Sequence, residues 1–73
     1  MAMMDVVSEI AGRVWRIDAT IGTVLAEEDP VITLESMKME IPVVAPSGGT
    51  LAEVLVAEGD AVVEGQVIAK LES

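Results

Sequence analysis

Lys38 is the side chain of this sequence best placed to do chemistry. It lies between two methionines in the stretch Glu35-Ser36-Met37-Lys38-Met39-Glu40, and Lys70 is the only other lysine of the 73 residues. In its neutral form a lysine amine is a nucleophile for an activated acyl group. Lys38 is therefore a candidate nucleophile, and the simpler alternative is a solvated turn lysine beside two core-filling methionines.

Other kinds of chemistry have little support in the composition. The chain contains neither histidine nor cysteine, so it lacks the usual neutral-pH base, a thiol nucleophile and the usual nitrogen and sulfur metal ligands. The 13 Asp and Glu residues are scattered over predicted turns and outward strand positions, where solvation explains them. We expect no metal site and no catalytic residues, and hence a protein that is not itself an enzyme.

Length and charge limit the architecture and the partners. A chain of 73 residues has room for one domain, residues 1–73, with a core of aliphatic side chains, because Trp15 is the only aromatic residue. The net charge of −9 repels phosphate backbones and anionic lipids. No apolar run is long enough to span a bilayer, and the start, Met1-Ala2-Met3-Met4-Asp5, lacks the basic end and apolar core of a signal peptide. We expect a soluble cytoplasmic protein, monomeric in isolation, with no nucleic acid or membrane partner.

The chain matches itself when it is shifted by 37 positions, which places residues 6–36 on residues 43–73 without a gap. Chance similarity between two valine-rich segments is the alternative, but it does not explain why glycines and a Leu-Glu-Ser ending also align. The matched residues are Val6-Val7 with Val43-Val44, Gly12 with Gly49, Gly22 with Gly59, Glu27 with Glu64, and Leu34-Glu35-Ser36 with Leu71-Glu72-Ser73.

Each copy is predicted to form four short β-strands separated by turn residues, a spacing typical of an all-β sandwich or barrel. Leu34 and Leu71 alternate with polar residues such as Thr33 and should face the core. Apolar residues spaced by three in each second strand predict a bulge there. The predicted strands are residues 6–10, 13–17, 24–25, 31–36, 43–46, 50–56, 61–62 and 67–72.

The repeat also predicts where the ends of the chain lie. If residues 31–36 pair with residues 40–45, the same symmetry pairs residues 68–73 with residues 3–8. The termini should therefore meet at the end of the molecule opposite Lys38.

The stretch around Lys38, together with the following Ile41-Pro42-Val43, resembles the attachment motif of the biotinyl domain, the biotin carboxyl carrier family. The resemblance covers most of the chain and implies a flattened barrel of two four-stranded antiparallel sheets with pseudo-twofold symmetry. Equal repeat lengths indicate a member without the protruding thumb loop. Two turn positions depart from the family pattern: Thr23 replaces an Asp, whose turn bond it can make more weakly, and Glu28 replaces a Gly and is strained if the turn keeps a positive φ.

The resemblance implies that a biotin protein ligase attaches biotin to Lys38, with Met37, Met39, Glu35, Ser36 and Glu40 as the recognition surface. The biotin arm would then carry a carboxyl group from a biotin carboxylase to a carboxyltransferase, and we expect an acyl-CoA carboxylase of fatty acid biosynthesis. The Met start favours a free-standing protein. Two alternatives remain: a lipoyl carrier, which methionines on both sides of the lysine disfavour, and an unmodified interaction module of the same fold.

Overall fold

The computed structural model describes residues 2–73, which form eight β-strands and contain no helix that could span a membrane. Met1, the first residue of the predicted domain, lies outside the described residues. The strands are β1 (Met3–Val7), β2 (Gly12–Ile17), β3 (Val24–Leu25), β4 (Pro30–Ser36), β5 (Met39–Val44), β6 (Gly49–Val54), β7 (Ala61–Val62) and β8 (Val67–Glu72).

These strands form two four-stranded sheets, one in the order β1-β8-β6-β3 and the other in the order β5-β4-β2-β7. Every pairing is antiparallel. The predicted all-β class with two four-stranded sheets is confirmed. Adding 37 to the residue numbers carries β3 onto β7 and the starts of β2 and β4 onto those of β6 and β8. Each sheet contains strands from both repeats, so neither repeat has a complete sheet without the other.

The core between the sheets is aliphatic. Leu34 and Leu71, which the alternation placed inside, are completely buried, and so are Ile32, Leu51 and Ile68. Each such side chain contributes roughly 1.5–3 kcal/mol when it is removed from water. The one aromatic residue, Trp15, remains 44% exposed, so packing of branched aliphatic side chains holds the sheets together.

The predicted bulges are present in both second strands. The register of β2 against β4 shifts between Val14 and Arg16, and that of β6 against β8 shifts between Leu51 and Glu53. One extra residue in each strand allows apolar residues spaced by three to turn toward the same side.

The aligned glycines Gly12 and Gly49 have a packing reason. A Cβ atom on Gly12 would lie 2.9 Å from the carbonyl oxygen of Glu35, and one on Gly49 would lie 3.0 Å from that of Glu72. Backbones that approach this closely leave no room for a side chain. The same residue type is therefore needed at both positions of the repeat.

The bounds of the first strand of each repeat differ from the prediction. β1 is Met3–Val7 rather than residues 6–10, and β5 is Met39–Val44 rather than residues 43–46. The prediction followed β-branched residues, whereas a strand extends as far as its hydrogen-bonding partner does. Here Met3 is opposite Glu72, and Met39 is opposite Ser36. The ranges 3–8 and 40–45, which the repeat predicts to pair, begin within one residue of the first residues of β1 and β5.

The termini meet as predicted. Ala2 and Ser73 exchange two backbone hydrogen bonds, of 3.3 and 2.9 Å, and this pair is the repeat counterpart of Met39 and Ser36. β5 runs from the Lys38 turn to the other end of the molecule. There the next strand, β6, begins, and its residue Thr50 pairs with Glu72, next to the C-terminal residue. The termini consequently lie at the other end of a molecule 36 Å long.

The two turn positions that depart from the family pattern behave differently. Glu28 has φ 74°, close to the 86° of Gly65 at the equivalent position, so the expected positive φ is confirmed. The side-chain bond expected of Thr23 is not among the hydrogen bonds of residues 2–73. Its counterpart Asp60 accepts a bond from Ala57 N at 2.9 Å. Thr23 instead bonds through its backbone, donating from N to the Thr20 carbonyl at 3.0 Å and accepting from Leu51 N at 2.9 Å.

We predict that Leu34→Ala and Leu71→Ala each lower the free energy of unfolding by about 2–5 kcal/mol, because each removes a completely buried side chain and leaves a cavity. Lys38→Ala, an exposed substitution, should change it by less than about 0.5 kcal/mol. Denaturant melts monitored by circular dichroism measure all three. A lysine variant as unstable as the leucine variants would contradict this division between core and site.

Candidate functional site

Lys38 lies at the tip of the hairpin formed by β4 and β5. Ser36 is opposite Met39 at the ends of the two strands, so Met37 and Lys38 form a two-residue loop. Their φ angles are 51° and 63°, the left-handed conformation of a primed hairpin turn. Such turns favour Asn-Gly, because residues other than glycine are strained at positive φ. The hairpin thus turns on two residues, Met37 and Lys38, that suit a primed turn poorly.

The tip is open to solvent. Met37 is 92% exposed and Met39 is 61% exposed, and Lys38 between them is exposed as well. The salt bridges of residues 2–73 join Arg16 to Asp18 and Lys70 to Asp5, and neither includes Lys38. The amine of Lys38 can therefore approach an active site without leaving a partner in its own chain.

Lys70 provides an internal comparison. It lies within β8 and is half-buried, and its Nζ is 3.7 Å from Asp5 Oδ1. An extended strand that pairs with a neighbour on each side offers its lysine less freedom than a hairpin tip does. Of the two lysines, only Lys38 is presented on a projection.

A rigid base supports the tip. β4 lies between β5 and β2, and its residues Val31, Ile32, Thr33 and Leu34 are all buried. Burial and pairing on both sides leave this strand little freedom to move, so the turn at its end has a defined position. The flexible part of the site is then the side chain of Lys38 itself.

Three of the predicted recognition residues, Glu35, Ser36 and Glu40, lie on the strands directly beneath the tip. Glu35 and Glu40 are both exposed and face each other across the hairpin, and Ser36 is half-buried. Like charges directly opposite each other in a sheet are destabilising. All six predicted site residues therefore come together, with two carboxylates under the amine-bearing tip.

Arg13 is a neighbour that sequence reasoning missed. It lies opposite Glu35 on the other side of β4, but its guanidinium donates a 2.8 Å hydrogen bond to the carbonyl of Gly59 instead. The predicted bulge in β2 could have indicated this neighbour, because the bulge shifts the register and so determines which residue of β2 lies opposite Glu35. The Glu35 and Glu40 carboxylates consequently have no cation bridged to them within residues 2–73.

Glu40 also borders a shallow groove of about 330 Å³ on the outer face of its sheet, which it shares with Arg16, Asp18 and Thr33. Thr33, a polar residue that alternates with the core residue Leu34, is only 5% exposed. Its hydroxyl donates a 2.6 Å hydrogen bond to Asp18, which also pairs with Arg16. The polar residue faces outward but is covered by Arg16 of β2 and by Asp18, which follows that strand.

A larger groove, of about 450 Å³, lies between the edge strands β1 and β5 and is lined mainly by valine, isoleucine and proline. None of the six predicted site residues lines it. The reactive amine is thus on a convex tip rather than in a pocket. Such an arrangement presents a group to another protein, and it does not enclose a substrate.

A family model described as "Biotin-requiring enzyme" matches residues 1–71. A "Biotin/lipoyl attachment protein" of Bacillus subtilis is 43% identical over 68 residues, which cover 93% of each chain. A "Biotinylated protein TB7.3 homolog" of Mycobacterium leprae is 40% identical over 65 residues, 89% of this chain and 92% of that one.

The fold has solved counterparts. The urea carboxylase of Kluyveromyces lactis contains a segment that superposes with a TM-score of 0.93 at 32% identity, covering 99% of this chain and 6% of that one. The lipoyl domain of the 2-oxoglutarate dehydrogenase complex from Azotobacter vinelandii superposes with a TM-score of 0.69 at 27% identity, covering 86% of this chain and 80% of that one. Both are similar in fold, and any cofactor that their names imply belongs to those proteins.

We predict that the double variant Met37→Asn with Lys38→Gly is more stable than the parent by on the order of 1 kcal/mol, because it places residues that suit a primed turn at the two positive φ angles. Denaturant melts of the unmodified proteins measure the difference. An equal or lower midpoint for the double variant would show that the native turn stores no strain.

We also predict that Glu40→Gln raises the free energy of unfolding by roughly 0.3 kcal/mol at low salt, because it removes a like-charge pair across the hairpin. The gain should shrink in high salt, which screens exposed charges. Glu72→Gln is the matched control for the general loss of one negative charge, since Glu72 is opposite the uncharged Met3 and Thr50. Equal gains in both variants would mean that the Glu35–Glu40 pairing has no specific cost.

Proposed function

The chain belongs to the biotin/lipoyl attachment family, and we propose that within this family it is a biotin carrier whose cofactor is attached to Lys38. It is a small carrier domain without catalytic function of its own. Its contribution to a reaction is the position and the accessibility of one amine.

The presentation of Lys38 is the observation that carries the proposal. The residue is exposed, stands at a two-residue turn with positive φ and takes part in neither salt bridge of residues 2–73, whereas Lys70 lies in a strand beside Asp5. In the attachment reaction the neutral amine would attack the carboxyl carbon of biotin that a biotin protein ligase has activated as an adenylate. An amide bond to Nζ forms, the bond to AMP breaks, and the amine loses a proton to the ligase or to water.

The surroundings of Lys38 fit a covalently attached group. Met37 and Met39 project into solvent, and none of residues 2–73 forms a salt bridge with the amine. An arm on Nζ therefore has free space around it. Biotin, once attached, would accept a carboxyl group at one enzyme and give it up at another. The buried β4 holds the base of the arm, and the long lysine side chain lets its end move between the two sites at high effective concentration.

The residues around Lys38 would serve the partner proteins: the ligase, a biotin carboxylase and a carboxyltransferase. Met37 and Met39 offer exposed apolar contact surface. Glu35 and Glu40 offer two carboxylates that a basic partner surface would complement, and Ser36 lies between these groups. A partner that brings a cation to the Glu35–Glu40 pair would relieve the repulsion between the two carboxylates.

Methionines on both sides of Lys38 support biotin as the cofactor, as does the similarity to a protein named as biotinylated. Lipoate is the second candidate, because a solved lipoyl domain shares the fold and the name of the Bacillus relative includes both cofactors. An unmodified adaptor of the same fold is the third. The mass increment of the intact protein from its native cell distinguishes the three cases.

We further propose that the carrier works in the cytoplasm and that its acceptor is an acyl-CoA used in fatty acid biosynthesis, as the resemblance to biotin carboxyl carriers implies. The biotinylated chain offers a direct way to test the acceptor. Mild capture on streptavidin from the native cell should bring down the carboxyltransferase, and assays of that enzyme with different acceptors would name the substrate.

We predict that a purified biotin protein ligase, with ATP and biotin, modifies Lys38 and leaves Lys70 unmodified. Trypsin cleaves after Lys38 only while that lysine is free, so modification should replace the peptides 17–38 and 39–70 with a single peptide of residues 17–70 that carries one biotin. Lys38→Ala should accept none, and Lys70→Ala should accept as much as the parent. Biotin on Lys70, or label on the Lys38→Ala variant, would overturn the assignment.

A further inference from the structure

We propose that Met37 is a peroxide-sensitive modification site, and that conversion of its thioether to the sulfoxide lowers the acceptance of Lys38 by the enzymes that act on it. The location of the modification stands on the geometry of Met37 alone. Its effect on Lys38 rests on the proposed function.

Met37 is exceptionally accessible. Its exposed fraction of 92% is the highest among the large apolar side chains of residues 2–73, ahead of 61% for Met39 and 51% for Met3. Access to the sulfur is a main determinant of how readily a thioether is oxidised. The expected order of oxidation is therefore Met37, then Met39, then Met3.

Met4 is expected to react most slowly of the four. It is half-buried, and its sulfur accepts a 2.9 Å hydrogen bond from the Ser47 hydroxyl. A lone pair engaged in this way is less available to attack an oxidant. These four methionines can therefore be compared within one molecule, from the exposed thioether of Met37 at the tip to the partly covered one of Met4 near the chain ends.

Folding of the free chain does not account for a methionine at position 37. The residue has φ 51°, which disfavours any side chain, and at 92% exposure the side chain contributes almost nothing to the core. Soft, flexible thioethers are used on surfaces that must fit several different partners. Contact with partners at the tip is the role that remains, and a change in the polarity of Met37 acts on that contact directly.

The chemical step needs only a hydroperoxide. A sulfur lone pair of Met37 attacks one oxygen of H₂O₂, the O–O bond breaks, and the departing hydroxide gains a proton to leave as water. Sulfur is oxidised by two electrons and the peroxide is reduced by two. The product is a polar, chiral sulfoxide that methionine sulfoxide reductases convert back, so the modification is reversible.

Oxidation at this position should leave the fold intact, because the Met37 side chain is almost fully solvated and its replacement by a polar group disturbs no packing. The loss falls on the contact between the tip and a partner. Thioether contacts in protein interfaces are modest, and losing one should lower the efficiency of transfer to Lys38 by about two- to tenfold.

The first experiment locates the sulfoxide in the intact, unbiotinylated chain, since biotin contains a thioether of its own. Limited H₂O₂ is added and removed with catalase, and the protein is digested with trypsin. Met37 then appears in peptide 17–38, Met39 in peptide 39–70, and the N-terminal methionines in peptide 1–13, where fragmentation separates Met3 from Met4. The sulfoxide should form first at Met37. Equal or faster oxidation at Met39, Met3 or Met4 would overturn the assignment.

The second experiment measures biotin transfer to oxidised and unoxidised protein by a purified ligase, and the ratio of the two rates is the readout. The rate for oxidised protein divided by the rate for unoxidised protein should lie about two- to tenfold below one for the parent and for Met39→Leu. Reductase treatment should return this ratio toward one. For Met37→Leu the ratio should stay near one, whatever the absolute rate of that variant. Circular dichroism melts should coincide for oxidised and unoxidised parent.

The outcomes separate the two proposals. An unchanged ratio for the parent, or a loss that persists in Met37→Leu, overturns the effect of Met37 oxidation while the carrier function stands. Failure of the unoxidised chain to accept biotin overturns the carrier function, and with it the effect on loading. In that case the map of sulfoxide formation still decides whether Met37 is the most sensitive site.

Discussion

The pairing of β4 with β5 above a buried aliphatic core is the interaction on which the site depends. β4 is bonded on both sides and contributes four consecutive buried residues, Val31 to Leu34, so the position of its end is set by the whole core. The two-residue loop adds almost no freedom of its own. Lys38 therefore starts from a defined point although its side chain is solvated, and a defined base with a mobile end is what a tethered carrier requires.

The repeat gives the molecule two similar ends with different uses. At one end the Ser36 and Met39 pair is joined by the covalent turn that carries Lys38, and at the other the equivalent Ser73 and Ala2 are joined only by hydrogen bonds. The pseudo-twofold symmetry thus separates Lys38 from the chain ends by the length of the molecule. Partners can approach the tip without meeting the termini.

The tip departs from what would stabilise the free chain. It has two non-glycine residues at positive φ, two carboxylates facing each other, and two exposed methionines. Each costs little, and the core can offset them because its leucines and isoleucines are completely buried. Local departures of this kind concentrate where a protein meets its partners. The other turns obey the rules more closely, and Glu28 is the one residue outside the tip, among those described, that is not glycine and has a positive φ.

By itself the sequence determined the repeat, the class of fold, the burial of Leu34 and Leu71, and the bulges, because each follows from local chemistry or from comparing the chain with itself. Tertiary structure alone decided the extent of β1 and β5, since a strand ends where its partner does. It also decided the burial of Thr33 under Asp18, and the position of Arg13 beside Glu35 with its guanidinium bonded to Gly59 instead. These features join residues that are far apart in the chain and depend on register across the sheet, which no local pattern contains.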